Sequence, residues 1–423
     1  MNARMEVGVG VGGDRATGYA MSNKILRLPE GLLVTWLDPA CRNRWALCDP
    51  DTGAIRRSGF LGPEREDNHC GAALARTGDV AHAVLGAHHG TLSHYVMRPS
   101  REMEWRHVAE LPGRATYPCL LSDGPDRLLL THRTEGPHFT LDLREFDGNT
   151  WSGPRPLAVA DKPGYVYWTN GLTAAPDGTV HLVFGNTRLD ENGDLYFGAS
   201  HLYSSDQGRS WYSDGRGHVP DGVSVRDLPL IVPESDSARS LSVLEQDRTR
   251  EAGPSHMHYL QLLLSNPVVD SRGRVYVTVH NGREGTADLW IRGGEGRWRS
   301  IPLRPLLDGP AEGHRIHLQS SLGLDSRNRI HAGLMIHPGA HPRWDWGPNG
   351  TFLVRLVLSP EGKLLTREVV PPVSEGCVWL PALEHPLGSL FPEVPALLYT
   401  RGANAGGFEH NQNRLESQVF LML

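Results

Sequence analysis

Six apolar segments of this chain end in residues that can carry charge or move protons. They close at His88 and His89, at His132 and Arg133, at Asn186 and Arg188, at His280 and Asn281, at His337, and at Tyr399 and Arg401. Imidazoles exchange protons near neutral pH, and a guanidinium holds a carboxylate through two parallel hydrogen bonds. Together these side chains suit proton transfer beside an anionic group. A lone histidine at a strand end is most simply a satisfied structural residue. Ionisable groups repeated at the same place in successive strands are poor core material, because a buried charge must be paired. The repetition is the reason to expect one shared pocket where the strand ends converge.

The elements that must position these residues recur along the 423 residues. An apolar strand, a turn rich in Asp, Gly and Asn, and a second apolar strand begin near Asn23, Cys70, Tyr117, Asn170, Leu264, Leu318 and Val378. Blades of a β-propeller repeat at about 40–50 residues. The one long step, between Asn170 and Leu264, holds an extra hairpin and a polar segment around 213–255 that reads as an insertion. Outer hairpins are marked by Trp105, Trp151, Trp211 and Trp298. At Ser204–Trp211 the order is Ser-x-Asp-x-Gly-x-x-Trp. Asp206 can bond the backbone two residues on, Gly208 tolerates positive φ, and Trp211 can cover the neighbouring sheet. This stretch resembles the Asp box of sialidase-type propellers. The predicted fold is all-β: a single-domain, seven-bladed β-propeller with Asp-box (BNR) hairpins over 1–423.

Composition narrows the function. The 42 basic and 48 acidic residues are well mixed, without a basic block, which argues against nucleic acid as a partner. No run of about 18 apolar residues exists to cross a membrane. The five cysteines, at 41, 48, 70, 119 and 377, form neither a disulfide framework nor a zinc-finger spacing. The N-terminal stretch lacks the apolar core of a signal peptide, so the expected location is cytoplasmic; a removed leader would make it secreted. The early Val-Gly repeats have no strand-to-helix context and are not a nucleotide loop. His256 and His258, and His337 with His341 and Asp345, match no defined metal spacing, so neither metal nor cofactor is expected. Trp344 and Trp346 could stack on a sugar or cap a blade, and His410 to Arg414 could line the pocket mouth.

Between about residues 60 and 215 an ordered set of motifs resembles the BNR-4 propeller group. The motifs are Glu66-Asp67-Asn68-His69, a small-residue strand ending at His88-His89-Gly90, and Ala115-Thr116-Tyr117-Pro118. The strand Leu128 to Gly136 and the run Tyr165 to Gly171 complete it. The group includes ulvan lyases, lyases acting on rhamnosyl-glucuronate linkages, and a related rhamnosidase family. The resemblance implies a catalytic set of His69, His89 (preferred by spacing over His88), Tyr117 and Arg133. Tyr167 is implied as a substrate contact; His88, Asn170, Arg188, His280 and His337 join it from the motifs and strand ends. The chain keeps only the second half of the group's Tyr-x-Tyr-Pro stretch; members of the group are usually exported, whereas its N-terminal stretch is not expected to act as a leader.

The chemistry of that set is coherent. Opening a 4-linked uronate removes the C5 proton, which lies α to a carboxylate. A guanidinium such as Arg133 would stabilise the charge that develops there. Tyr117 could take and return the proton in a syn elimination, or His69 or His89 could be the base. The expected activity is a carbon–oxygen lyase acting on an acidic oligosaccharide in which glucuronate or iduronate is joined to rhamnose. One alternative is a rhamnosidase-type hydrolase, although hydrolysis ordinarily uses two carboxylates that the strand ends do not supply. The other is a non-catalytic sugar-binding propeller, which would need aromatic platforms but no proton-transfer set.

Overall fold

In the computed structural model, which describes residues 5–19, 21–161, 163, 170–189, 195–232, 262–281, 284–309, 312–337, 350–371, 376–386, 391–403 and 417–423, the second strands of the repeats are buried on both faces. Gly31–Leu37 and Ile330–His337 have no exposed residue, whereas the outer strand Ile55–Glu64 is exposed along most of its length. A strand covered on both faces reads as a continuous apolar run instead of an alternation. Each sheet must then be flanked by two others.

The described strands form six sheets. Ile25–Leu28, Gly31–Leu37, Arg42–Cys48 and Ile55–Glu64 make a four-stranded one. An eight-stranded sheet runs Ala72–Thr77, Val80–Leu85, Gly90–Arg98, Glu102–Ser122, Leu128–Thr134, Thr140–Phe146, Arg155–Val159 and Val223–Ser224. Its long strand Glu102–Ser122 serves twice: its first half pairs with Gly90–Arg98 and its second with Leu128–Thr134. Asn170–Ala174, Val180–Leu189, Leu195–Ser204, Trp211–Ser213 and Gly217–Val219 form a five-stranded sheet. In the next, Leu262–Leu264 and Val268–Val269 both pair with Val275–Asn281, followed by Thr286–Arg292 and Trp298–Pro302. Arg315–Leu324, Ile330–His337, Phe352–Leu358 and Leu364–Val370 form another. The last joins Cys377–Leu383, Leu397–Gly402 and Ser417–Met422 to Glu6–Gly12, so the first described strand lies beside the last. Among the described residues the only helical elements are two 3-10 turns, Val225–Asp227 and Arg304–Leu306. None is long or apolar enough to cross a membrane. The stretch expected as an insertion begins inside the sheets, because Gly217–Val219 and Val223–Ser224 both pair; residues 233–255 lie outside the described ones.

Apolar clusters join each sheet to the next. Leu129 and Leu143 pack with Leu182, Leu202 and Trp211, Val183 and Ala199 with Val277 and Trp290, and Leu289 with Leu334. Met335 and Leu353 meet Trp379 and Leu397 in a cluster that also holds Tyr19, Met21, Tyr117 and Leu263. The final sheet packs on the first through Leu398 and Val34. The contacts therefore run round in a ring. The turn at Ser204–Trp211 forms as its residues require: Asp206 accepts from the Ser210 N–H, the Gly208 N–H donates to Ser204 Oγ, and Trp211 is buried. All five cysteines are buried.

Candidate active site

Four short segments bring the site together. The loop Glu66–His69 precedes the strand Ala72–Thr77, and His88 and His89 follow the strand Val80–Leu85. His89 has φ +57°, a left-handed conformation that breaks strand alternation and lets adjacent imidazoles lie side by side. Their ring centroids are 4.5 Å apart. Tyr117 sits where the pairing of Glu102–Ser122 with Leu128–Thr134 slips: Thr131 faces Cys119, but Arg133 faces Thr116. Pro118 has no N–H to offer a ladder, so a bulge is accommodated there, and Tyr117 takes φ +59°. The fourth segment, after Glu6–Gly12, was not singled out from the sequence. It brings Arg15 and Tyr19, both buried.

Asp67 is the hub. Its Oδ1 accepts from the His69 backbone N–H at 2.8 Å and lies 3.0 Å from His69 Nδ1, and its Oδ2 accepts from His88 Nδ1. Burial alone would raise the Asp67 carboxyl, but the hydrogen bonds from His69 and His88 hold it well below the usual carboxylate range. The two imidazoles stack at 4.0 Å. Arg15 Nη1 donates to Tyr19 Oη at 2.8 Å and lies 3.0 Å from His69 Nε2. A guanidinium only donates, so His69 accepts at Nε2 and carries its proton on Nδ1. Burial, then the Arg15 charge, pull His69 down to about 3. His69 is therefore a neutral imidazole with both nitrogens occupied.

Beside this hub lies a second set. Arg133 Nη2 is 3.3 Å from His89 Nε2, and its guanidinium sits 4.7 Å over the Tyr117 ring and 5.2 Å over Phe139. His89 Nδ1 is 2.9 Å from Glu135 Oε2, which also accepts from Arg114 Nε at 2.7 Å. Burial, then the Arg133 charge, lower His89 to about 4. Tyr117 packs edge-on against Tyr19 at 4.9 Å. Arg133 is 0 % exposed, while the His88 and His89 side chains are 23 % and 21 % exposed and Arg114 63 %. Arg133 thus lies beneath His89 and Tyr117, the latter itself 4 % exposed, and Arg114 is the more accessible guanidinium of the network.

The other expected contacts divide. Asn170 is buried, and its amide is committed to the scaffold: Oδ1 accepts from Thr131 Oγ1 at 2.6 Å, and Nδ2 donates to the Tyr117 carbonyl at 3.2 Å. It ties the Tyr117 backbone to the strand Leu128–Thr134. His280 is buried 2.6 Å from Ser320 Oγ, and His337 is 3.5 Å from Thr351 Oγ1. Burial, then neighbouring His317, lower His280 to about 3; burial, then His314, lower His337 to about 4. No described contact joins either to the His69 group. Arg188 pairs through its backbone with Tyr196. Tyr167, His256, His258, His341, Trp344, Asp345, Trp346 and His410 to Arg414 lie outside the described residues.

The strand-end pattern also overreaches at two places. Buried His132 accepts from Arg144 Nε at 3.1 Å, and Arg401 pairs with Glu6, tying the last sheet to the first strand. Asp67, Arg15, Tyr19, Glu135 and Arg114 were missed. The motif around His69 contained Asp67, and Glu135 follows Arg133 by two residues, so both were findable as carboxylates flanking histidines. Arg15 is 54 residues from His69, and nothing local marks it. Asp67, His69 and His88 place three donor atoms within 4.8 Å of one another, enough for a divalent cation. Both imidazoles, however, already bond the carboxylate through Nδ1, and Arg15 adds a positive charge on the far side of His69.

Comparison with known proteins agrees with this architecture. An ulvan lyase described as a new family of polysaccharide lyase, PL25, superposes with a TM-score of 0.63 at 12 % identity, over 95 % of this chain and 94 % of that one. The same type of lyase bound to -[GlcA(1-4)Rha3S]- gives 0.62 at 11 % identity, over 96 % and 94 %. The BP39L lectin from Burkholderia pseudomallei gives 0.53 at 12 % identity, over 96 % and 97 %. At such identities the likeness speaks for the fold, a propeller-like ring of sheets. No curated protein matches the sequence. The model of the BNR repeat-containing family matches residues 50–305, more than half of the chain, and the protein belongs to that family.

Proposed function

We propose that the protein is a carbon–oxygen lyase that opens 4-linked uronate residues of a glycan by β-elimination. One observation carries the reading: two stacked imidazoles share Asp67, and the adjoining His89–Arg133–Tyr117 set places proton-transfer groups and cations against them. The ulvan lyases supply a sugar class, since one is bound to a glucuronate–rhamnose unit. Both carboxylates of the network, Asp67 and Glu135, are engaged with imidazoles, which disfavours the two-carboxylate route of hydrolysis. We also read the six sheets as seven blades, the eight-stranded one counting as two.

In this reading His88 takes the C5 proton. Asp67 holds its Nδ1–H and leaves Nε2 for the substrate, the arrangement that makes an imidazole a directed base. Arg114 meets the substrate carboxylate and spreads the charge that builds on it as the proton leaves. Tyr117 delivers a proton to the departing oxygen, and Arg133 holds His89 and Tyr117 from beneath. The C4–O bond breaks as the C4=C5 double bond forms. That bond is conjugated to the carboxylate, so incubation with glucuronate–rhamnose oligosaccharides should produce a new ultraviolet absorbance that grows with time. Reducing ends appearing without absorbance would mean hydrolysis, and binding without either would mean a lectin.

A further inference from the structure

A cavity of about 710 Å³ lies between the five-stranded sheet and its successor, sharing no residue with the His69 group. Tyr203 and Asp214 form one wall; Arg292, from the strand Thr286–Arg292, bonds across, and Trp298 lines the other side. Arg292 holds Asp214 through two bonds, 2.8 Å from Nε and 2.7 Å from Nη2, and lies 5.2 Å over the Tyr203 ring. Asp214 is kept well below the usual carboxylate range: burial opposes this, but the Arg292 and His201 hydrogen bonds prevail. The turn opposite needs Gly296, because a Cβ there would fall 2.8 Å from Asp214 Oδ1. Ser213, in the same wall and 2 % exposed, has a hydroxyl without a partner among the described residues.

Packing alone does not call for this set. A smaller cleft of about 290 Å³ lies within the eight-stranded sheet's region, beside the same underlying arrangement. There His82 and His94 stack, and Trp151 meets His94 edge-on at 5.4 Å, as Trp298 meets His201 at 5.4 Å beyond the His181–His201 stack. Val96 occupies the place of Tyr203, two residues after the third-strand histidine, and no ion pair spans that cleft among its described lining residues. The larger cleft therefore adds an aromatic face, a planar carboxylate–guanidinium pair and a hydroxyl to a packing scheme that stands without them.

Those additions match one ligand chemistry. The half-buried Tyr203 ring, which carries Arg292 on one face and stacks on His201 and Tyr212, leaves its remaining surface to pack against a pyranose, a planar ion pair offers donors and acceptors to vicinal hydroxyls, and the volume is that of a small-ligand pocket. The pair is neutral overall, so the ligand needs no charge. We propose that this cleft is a second carbohydrate site, binding a sugar unit of a glycan through its hydroxyls and independently of the His69 group.

The test uses a glucuronate–rhamnose tetrasaccharide and the same tetrasaccharide with its carboxylates reduced to alcohols, titrated calorimetrically into the whole protein. The neutral form should bind at one site per chain. Tyr203→Ala and Leu230→Trp, which removes the face and fills the cleft respectively, should each weaken that binding by about tenfold or more, as loss of an aromatic contact or a hydrogen bond allows. Ultraviolet-detected turnover of the acidic form should be unchanged in both. Failure of the neutral form to bind, or wild-type binding by folded Leu230→Trp, overturns the proposal, and Leu230→Trp decides if Tyr203→Ala misfolds. Binding of the neutral form without turnover of the acidic one would uphold this site and refute the lyase reading.

Discussion

In the proposed mechanism Asp67 decides which imidazole acts. His69 has both nitrogens occupied, and His89 lies between Arg133 and Glu135, whereas among the described residues His88 is held only through Nδ1. A carboxylate that fixes the tautomer of its histidine matters in the transition state more than in binding. Asp67→Asn should lower kcat by about 10²–10⁴ with little change in KM, and His88→Ala should do the same. Tyr117→Phe, which removes one oxygen, should also cost about 10²–10⁴ in kcat if the phenol protonates the leaving group. Steady-state kinetics followed by ultraviolet absorbance separate the roles: wild-type turnover by His88→Ala with an inactive Tyr117→Phe would assign both proton transfers to the phenol. The sequence brought His69, His88, His89, Tyr117 and Arg133 into view because they close strands or stand in motifs. By spacing it preferred His89 to His88, whereas the mechanism proposed above uses His88; that choice rests on the φ of +57° at His89, a bend that spacing along a strand does not encode.

Tyr117 owes its place to an element with a counterpart elsewhere. In the last sheet the pairing slips between Trp379 and Ala382, with Leu380 at φ +52° before Pro381. The same bulge thus carries Leu where the other carries Tyr, which shows that the backbone feature does not itself require a phenol. Positive φ at such residues costs on the order of 1–3 kcal/mol and needs local support. Asn170 supplies part of it through the Tyr117 carbonyl, as Asn266 bridges two sheets through the Leu322 N–H and carbonyl. Asn170→Ala should remove the bonds to that carbonyl and to the Thr131 hydroxyl and destabilise the protein by about 1–3 kcal/mol. Thermal unfolding reads this, and a fall in kcat at unchanged KM, in the folded fraction, would report the displaced ring; wild-type kinetics and stability together would deny Asn170 the role. Repeated turns were legible as strands and turns but not as a bonding scheme. Asp270 and Asp325 each cap their hairpin through two backbone N–H groups and bind the side chain of Arg274 or Arg329, four residues on. The common Asp-Ser-Arg-x-Arg sequence was available, but its meaning lies in side-chain geometry.

At the scale of the molecule, ring-wise packing covers both faces of the sheets and so buries many histidines that a flatter fold would expose. His82, His94, His132 and His280 are each no more than 4 % exposed. Burial lowers His82 and His132 to about 4, and His94 and His280 to about 3, from 6.5. Below pH 6.5 the unfolded chain binds protons at these positions and the folded one does not, so stability must fall as pH falls from 6.5 toward 4. Each gives up on the order of 1–2 kcal/mol by pH 5, and because His82 and His94 share a hydrogen bond the losses do not simply add; together they reach several kcal/mol, a sizeable share of the stability of a typical domain. Carboxylates held low, such as Asp67 and Asp214, add their loss only below the ordinary carboxylate range. The acid limb should therefore begin near pH 6, well above where carboxylates protonate. Denaturant unfolding at intervals from pH 7.5 to 5 should show the midpoint falling steadily, and replacing the buried His82–His94 pair by Gln and Phe should flatten that slope even if it lowers stability at pH 7.5. A midpoint constant from pH 7 to pH 5 would mean that the folded protein accepts these protons, and that the paired imidazoles are not the neutral structural groups their burial implies.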